Sequence, residues 1–182
     1  MRYLVLVVLV AAVAFAAGWA GAGAYVAAPA GGGVCAERVD ALFSPGSEAR
    51  IVGLVESANE SVDVELYQFS YTPLMDALVA AKERGVRVRV ILEPRLDGKD
   101  NLNAMARLKG EGVDARWATL EFALTHSKTA VIDGKEVLVG SQNWSYNAML
   151  RNRESAVVVV SSEVAGEFEG VFEEDWEKAK AG

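Results

Sequence analysis

The chain predicts a layered α/β domain: a mixed β-sheet flanked by helices on both faces. Three observations carry this. Strand-like and helix-like hydrophobic patterns alternate from residue 37 onward. A single Asp133-Gly134 turn joins two alternating apolar segments as a hairpin, which places antiparallel strands in an otherwise βαβ-like order. An amphipathic helix closes the chain.

The elements follow in order. In ERVDALFSP, Val39, Ala41 and Phe43 alternate as in a short strand. Ile51, Leu54, Val55 and Ala58 then recur at helical spacing behind Ser47, a plausible N-cap. Val62, Val64 and Leu66 alternate with polar residues, which is a strand signature. TPLMDALVAAKERG reads as a helix with Thr72 as N-cap, Pro73 at the first helical position and Gly85 just past its end. VRVRVILEP is the next strand, NLNAMARLKGEG a shorter helix ending at Gly110 or Gly112, and VDARWAT a further strand. SKTAVIDGKEVLVGS is the hairpin, and the apolar run ESAVVVVSS suits a strand buried on both faces. The closing helix sets Val164, Phe168, Val171, Phe172 and Trp176 on one side. Its seven acids and two lysines from Glu163 onward are expected on a solvated outer face.

The 182 residues suit one domain with an extension. No charge occurs between Arg2 and Glu37, and Leu4–Ala17 is almost purely aliphatic. Residues 1–30 are therefore expected to be a signal peptide or a membrane anchor, with 31–36 a glycine-rich linker and 37–182 the catalytic domain. With Arg2 on the cytoplasmic side, the domain is expected to be extracytoplasmic, either secreted or membrane-anchored. Eighteen basic residues against 25 acidic ones, net −7, argue against coating duplex DNA by broad phosphate neutralisation. A local basic groove within Lys82–Arg116 is compatible with that balance, since this stretch holds nine Lys/Arg and six Asp/Glu, with Arg87 and Arg89 on one strand face. Cys35 is the only cysteine and His126 the only histidine, so neither an internal disulfide nor a zinc cluster is expected.

His126 and Lys128 are two residues apart, so in an extended segment both side chains leave the same strand face. An imidazole and an ammonium are poor partners for each other, yet both suit a shared anion. Ser141 and Asn143 repeat this spacing after Gly140, and their hydroxyl and amide can donate to phosphate oxygens. Asp133 falls on the opposite face by parity and precedes Gly134, which points to a turn or structural role beside a possible catalytic one. Tyr67 and Gln68 are expected to pack at the core or rim. Trp144 is either a stacking platform for a base or a packing residue.

Together these residues resemble the phospholipase D superfamily, whose signature is H-x-K-x4-D followed by G-S-x-N. His126, Lys128 and Asp133 fill the first part, and Gly140, Ser141 and Asn143 the second. Glu154 matches a further family carboxylate eleven residues beyond Asn143. The resemblance runs from about Glu37 to the C-terminus and is greatest to the single-motif bacterial endonuclease subgroup and its mitochondrial, membrane-anchored relatives.

That resemblance implies a phospholipase D-like fold and a metal-independent phosphodiesterase without cofactor. His126 attacks phosphorus and forms a phosphohistidine. Lys128, Ser141 and Asn143 bind the phosphate, and Glu154 holds the far ring nitrogen of His126. The family uses a second histidine as acid, and a chain with one must take it from another copy, so a homodimer with the active site at its interface is expected. A sequence-nonspecific nuclease is the leading reading, with nucleic acid as the substrate partner. A phospholipid phosphodiesterase of cardiolipin type and an inactive membrane-tethered nucleic-acid-binding protein are the alternatives.

Overall fold

The structure, a computed structural model, describes residues 34–182. The segment 1–30 and the glycines that open the 31–36 linker lie outside the described residues. Among the described residues no helix is long and apolar enough to cross a membrane.

The elements run β1 (Arg38–Ser44), α1 (Glu48–Glu56), β2 (Ser61–Leu66), α2 (Thr72–Glu83), β3 (Arg87–Leu92), α3 (Asp100–Gly110), β4 (Asp114–Trp117), β5 (Lys128–Ile132), β6 (Glu136–Gly140), α4 (Tyr146–Leu150), β7 (Glu154–Val160), α5 (Ser162–Lys178) and β8 (Lys180–Ala181). The strands form one sheet in the order β1-β7-β6-β5-β2-β3-β4-β8. β2, β3 and β4 are parallel because α2 and α3 carry the chain back between them. Every other pairing is antiparallel, which makes the sheet mixed.

Strand alternation divides the core in two. Val62, Val64 and Leu66 of β2 join Val88, Val90 and Leu92 of β3 beneath helices that contribute Ile51, Leu54, Leu74, Leu78 and Leu108. On the other face α5 sets Phe172 and Trp176 against Ile91, and Ala165 against Val131 and Val137. The Ser161 hydroxyl starts α5 by accepting the Val164 N–H.

Several expectations shift. β1 forms where expected, but Val39, Ala41 and Phe43 point outward and Leu42 points in. β1 is an edge strand, and α5 packs over β2, β5, β6 and β7. For the same reason Val157 and Val159 of β7 are half-buried, not enclosed on both faces. Val171 of α5 is exposed. The N-cap of α2 is Tyr71, one residue ahead of Thr72. Ser47 occupies the N-cap of α1, but its hydroxyl accepts from Gln142 Nε2 at 2.9 Å and does not cap the helix.

Asp133, expected in a turn or structural role beside a catalytic one, stands at the far end of β5 from His126. It sits in the β5–β6 turn with φ 53°, next to Gly134 with φ 59°, as a tight hairpin turn requires. Its carboxylate accepts the backbone N–H groups of Asn59, Glu60 and Ser61 at 2.8–3.1 Å. β5 lies between it and His126, a separation of about 3.3 Å per residue along the strand. Asp133 therefore fixes the α1–β2 corner to the hairpin.

Burial alone would raise the Asp133 carboxyl, but the amide donors from Ser61, Glu60 and Asn59 outweigh it and hold the group below its usual value of 3.8. A depressed folded pKa stabilises the fold above the unfolded value, and this is lost as pH falls through the folded one. Asp133→Asn is expected to lower the unfolding midpoint at pH 7, the deficit shrinking as pH drops below about 4. Gly140 is a second sensitive point, because an added Cβ would collide with the Cβ of Ala156 and the carbonyl oxygen of Ser155. Gly140→Ala is expected to cost about 1–3 kcal/mol in denaturant unfolding.

Candidate active site

One end of the sheet gathers the chemistry. The C-terminal ends of β2 and β6 and the N-terminal ends of β5 and β7 meet there, since Leu66 pairs with Lys128, Thr129 with Val139, and Gly140 with Ala156. His126, Lys128, Ser141, Asn143 and Glu154 all belong to this end, and Asp133 to the opposite one.

His126 lies in the loop before β5 and is exposed, while Lys128 is the first residue of β5 and only 8% exposed. The Lys128 ammonium donates to the His126 carbonyl oxygen at 2.7 Å and stands 3.3 Å from His126 Nδ1. It can donate to Nδ1 only when that nitrogen is unprotonated, which leaves the ring proton on Nε2. Desolvation lowers the Lys128 pKa, and the Glu154 charge partly opposes that shift. A partly desolvated lysine is a strong electrostatic partner for an incoming anion.

The phosphate-binding candidates differ in their engagement. Ser141 donates to Glu154 Oε2 at 2.6 Å and accepts the Ser155 N–H at 3.2 Å. The Asn143 side chain makes no hydrogen bond among the described residues, and its Oδ1 is buried. The amide therefore remains available to a ligand.

Glu154 departs from its implied partner. It binds Ser141 and, at 3.0 Å, Asn152 Nδ2, and does not hold the ring of His126. The ring is instead steadied by Tyr67, whose centroid lies 4.5 Å away at a 52° tilt. Tyr67 also faces the Lys128 ammonium at 5.1 Å. Its expected rim packing is thus a direct contact with both key side chains.

Two further expectations are settled by packing. Trp144 is 1% exposed and meets Phe69 edge-on at 5.3 Å, so it is a core residue and not a base-stacking platform. The basic stretch Lys82–Arg116 forms no free groove. Arg89 grips Asp63 and Glu173, Arg87 also reaches Asp63, and Arg107 pairs with Asp76.

The supporting shell escaped sequence reading. Glu93, fully buried beyond β3, accepts the Thr125 N–H at 2.6 Å and a forked pair from Arg95. The Arg95 hydrogen bonds and the Thr125 N–H outweigh burial and keep the Glu93 pKa low. Arg95 in turn donates to the Phe122 carbonyl oxygen at 2.6 Å, so one carboxylate, directly and through Arg95, ties down the loop that carries His126 at Thr125 and Phe122. Asn101 of α3 donates to the carbonyls of Tyr67 and Glu93 and accepts the Phe69 N–H. The position of Glu93 just beyond the carboxyl end of a parallel strand was the available signal, because such ends are where α/β sheets build their sites. Asn101 offered none.

Residues 51–176 match the family model described as "Cardiolipin synthase, PLD-like domain". A phospholipase D of Rickettsia prowazekii is 31% identical over 130 residues, covering 70% of this chain and 62% of that protein. A mitochondrial cardiolipin hydrolase of Mus musculus is 30% identical over 138 residues, covering 74% of this chain and 60% of that protein. The chain thus spans less than two thirds of the length of these relatives. Among solved structures, Nuc from Salmonella typhimurium, a phospholipase D family member, superposes with a TM-score of 0.75 at 30% identity, covering 80% of this chain and 97% of that one. NucT from Helicobacter pylori shares the fold with a TM-score of 0.70 at 20% identity. The signature residues, the mixed sheet that carries them and these matches lead to one conclusion: the chain belongs to the phospholipase D superfamily, within its PLD-like domain family.

Proposed function

We propose that the chain is a phosphodiesterase acting through His126, and that its substrate is nucleic acid cleaved without sequence preference. The observation that carries this reading is the convergence at one sheet end of an exposed imidazole, a desolvated ammonium and an unengaged amide. In the proposed reaction a ring nitrogen of His126 forms a bond to phosphorus while the bond to the leaving alkoxide breaks. A general acid protonates that alkoxide, and water then attacks phosphorus and releases the histidine. Lys128 and Asn143 hold the phosphoryl oxygens as charge accumulates on them. Ser141 joins them once its hydroxyl proton turns from Glu154 to a phosphoryl oxygen. The scheme calls on no metal ion or cofactor.

His126 is the only histidine, so the acid in this reading is His126 of a second copy related by a twofold axis. The exposure of His126 supports an active site completed across an interface. Phe43, exposed at the same end of the sheet, supplies apolar surface for it.

A second reading is favoured by one feature. Leu120, Phe122 and Leu124 are exposed in the loop that leads into His126. An apolar loop beside the nucleophile suits entry into a lipid surface, and so a phospholipid substrate such as cardiolipin. In this reading, as in the first, the hydrophobic N-terminal stretch keeps the domain at a membrane on its extracytoplasmic side.

The test is turnover of single-stranded DNA, RNA and cardiolipin vesicles in EDTA. Cleavage is expected to survive chelation and to fall by about 10³-fold or more in His126→Ala. Acid quenching is expected to trap phosphate on His126. Activity abolished by EDTA or retained in the variant would overturn the mechanism, and turnover of vesicles alone would establish the lipid reading. Tyr67→Leu is expected to lower kcat by about 10- to 100-fold with KM nearly unchanged, because it frees the ring without removing a phosphate contact.

A further inference from the structure

A second concave feature lies on the α5 face of the sheet, apart from the His126 site. It is a cavity of about 390 Å³, within the roughly 300–1,000 Å³ usual for small-ligand sites. Phe168, Val171 and Phe172 of α5 and Val131 of β5 form apolar walls, and Glu65, Glu167 and Asp175 bring carboxylates to it. Lys128 lines a different, much smaller cavity on the opposite side of β5.

Glu65 is the telling residue. It sits in the middle of the sheet, 7% exposed, and its carboxylate has no hydrogen bond or ion pair among the described residues. Its neighbour on the same strand face, Asp63, is gripped by Arg89 at 2.7 and 2.9 Å and reached by Arg87 at 3.1 Å. Across the strand pair, Thr129 shares its hydroxyl with Ser127 and not with Glu65. The fold thus compensates one buried carboxylate fully and leaves the next without a cation, facing open space. A buried carboxylate in that position is unfavourable until a positive group meets it.

The lining also decides what that group is. Four carboxylates line the cavity, counting Asp63 on Arg89, and they exclude an anion. Among the described residues no cluster has the geometry to hold a metal ion. Separated acids over aliphatic and aromatic walls suit ammonium groups joined by methylenes, with the chain on the apolar surface and the charges on oxygen. The structure assigns this cavity to a small aliphatic polyamine, its methylene chain against Phe168, Val171 and Phe172 and its ammonium groups on Glu65 and Asp175.

Burial, and after it the charge of Asp175, pushes the Glu65 carboxyl up to about 7. The charged groups around it are Asp63 on β2, Arg87 and Arg89 on β3, and Glu167, Glu169, Glu173 and Asp175 on α5. Arg89 is engaged by Asp63 and Glu173, so the net field at Glu65 is negative. Ionising Glu65 therefore opposes folding as pH rises from 4.5 toward 7, and a bound polyamine reverses that loss.

The test is calorimetric titration of the full 182-residue chain with spermidine at pH 8. Single-site binding is expected, at least about tenfold weaker in Glu65→Gln and in Asp175→Asn. Glu163→Gln, which removes the same charge at an exposed position at the start of α5, is expected to leave affinity unchanged. Uncharged hexanediol is expected not to bind, and wild-type affinity is expected to fall as pH drops below about 7. Glu65→Gln is expected to melt no lower than wild type at pH 8, which separates lost binding from lost folding. No spermidine binding, binding indifferent to Glu65 and Asp175, or an equal loss in Glu163→Gln would overturn the assignment.

Discussion

The arrangement of the site depends on one buried carboxylate. Glu93 lies at zero exposure beyond β3 and receives the Thr125 N–H together with the forked guanidinium of Arg95. A carboxylate placed there without donors would be strongly destabilising, and with them it becomes a rigid joint. Through it the end of the parallel half of the sheet determines where the loop before β5 runs, and so where His126 stands. Asn101 extends the same joint to Tyr67 and Phe69, so the imidazole and the ring beneath it are positioned from one source. His126 sits on a loop, but the loop is held by groups on regular elements, which keeps a loop residue in register.

Local patterns were legible in the sequence where the physics is local. The Asp133-Gly134 hairpin, the helix stops and the His126-Lys128 and Ser141-Asn143 pairs depend on turn chemistry and on a period of two, and both are visible in a single strand. Parity also placed Asp133 away from His126, and its amide contacts explain why an acid stands there. Contacts between distant segments were not legible. The outward turn of Val39 and Phe43 depends on which face α5 covers. The burial of Glu65 depends on the same helix: the alternation of Val62, Asp63, Val64, Glu65 and Leu66 marks a polar face without saying that a helix lies over it. The implied bond from Glu154 to His126 gives way to one from Ser141, because the β6–β7 pairing sets Ser141 opposite Ser155 and so within reach of the adjacent Glu154.

Charge is treated differently on the two faces of the sheet. On one, the buried Lys128 meets a carbonyl, a ring nitrogen and an aromatic face. On the other, Asp63, Arg89 and Glu173 form a compact network closed over by Phe172 and Trp176. The net acidity of the chain therefore says little about the His126 site, where a desolvated Lys128 faces the charge of Glu154. Much of the negative charge belongs to α5, on the far side of β5.

The sheet's two margins are unlike. At one end β8 contributes two residues, too short to template another strand. At the other, β1 runs for seven residues with one row of backbone groups unpaired by any described strand, and carries Val39 and Phe43 outward. Among the described residues β1 is the one long edge that could accept another strand, and two copies pairing through it would each use up that margin in meeting the other.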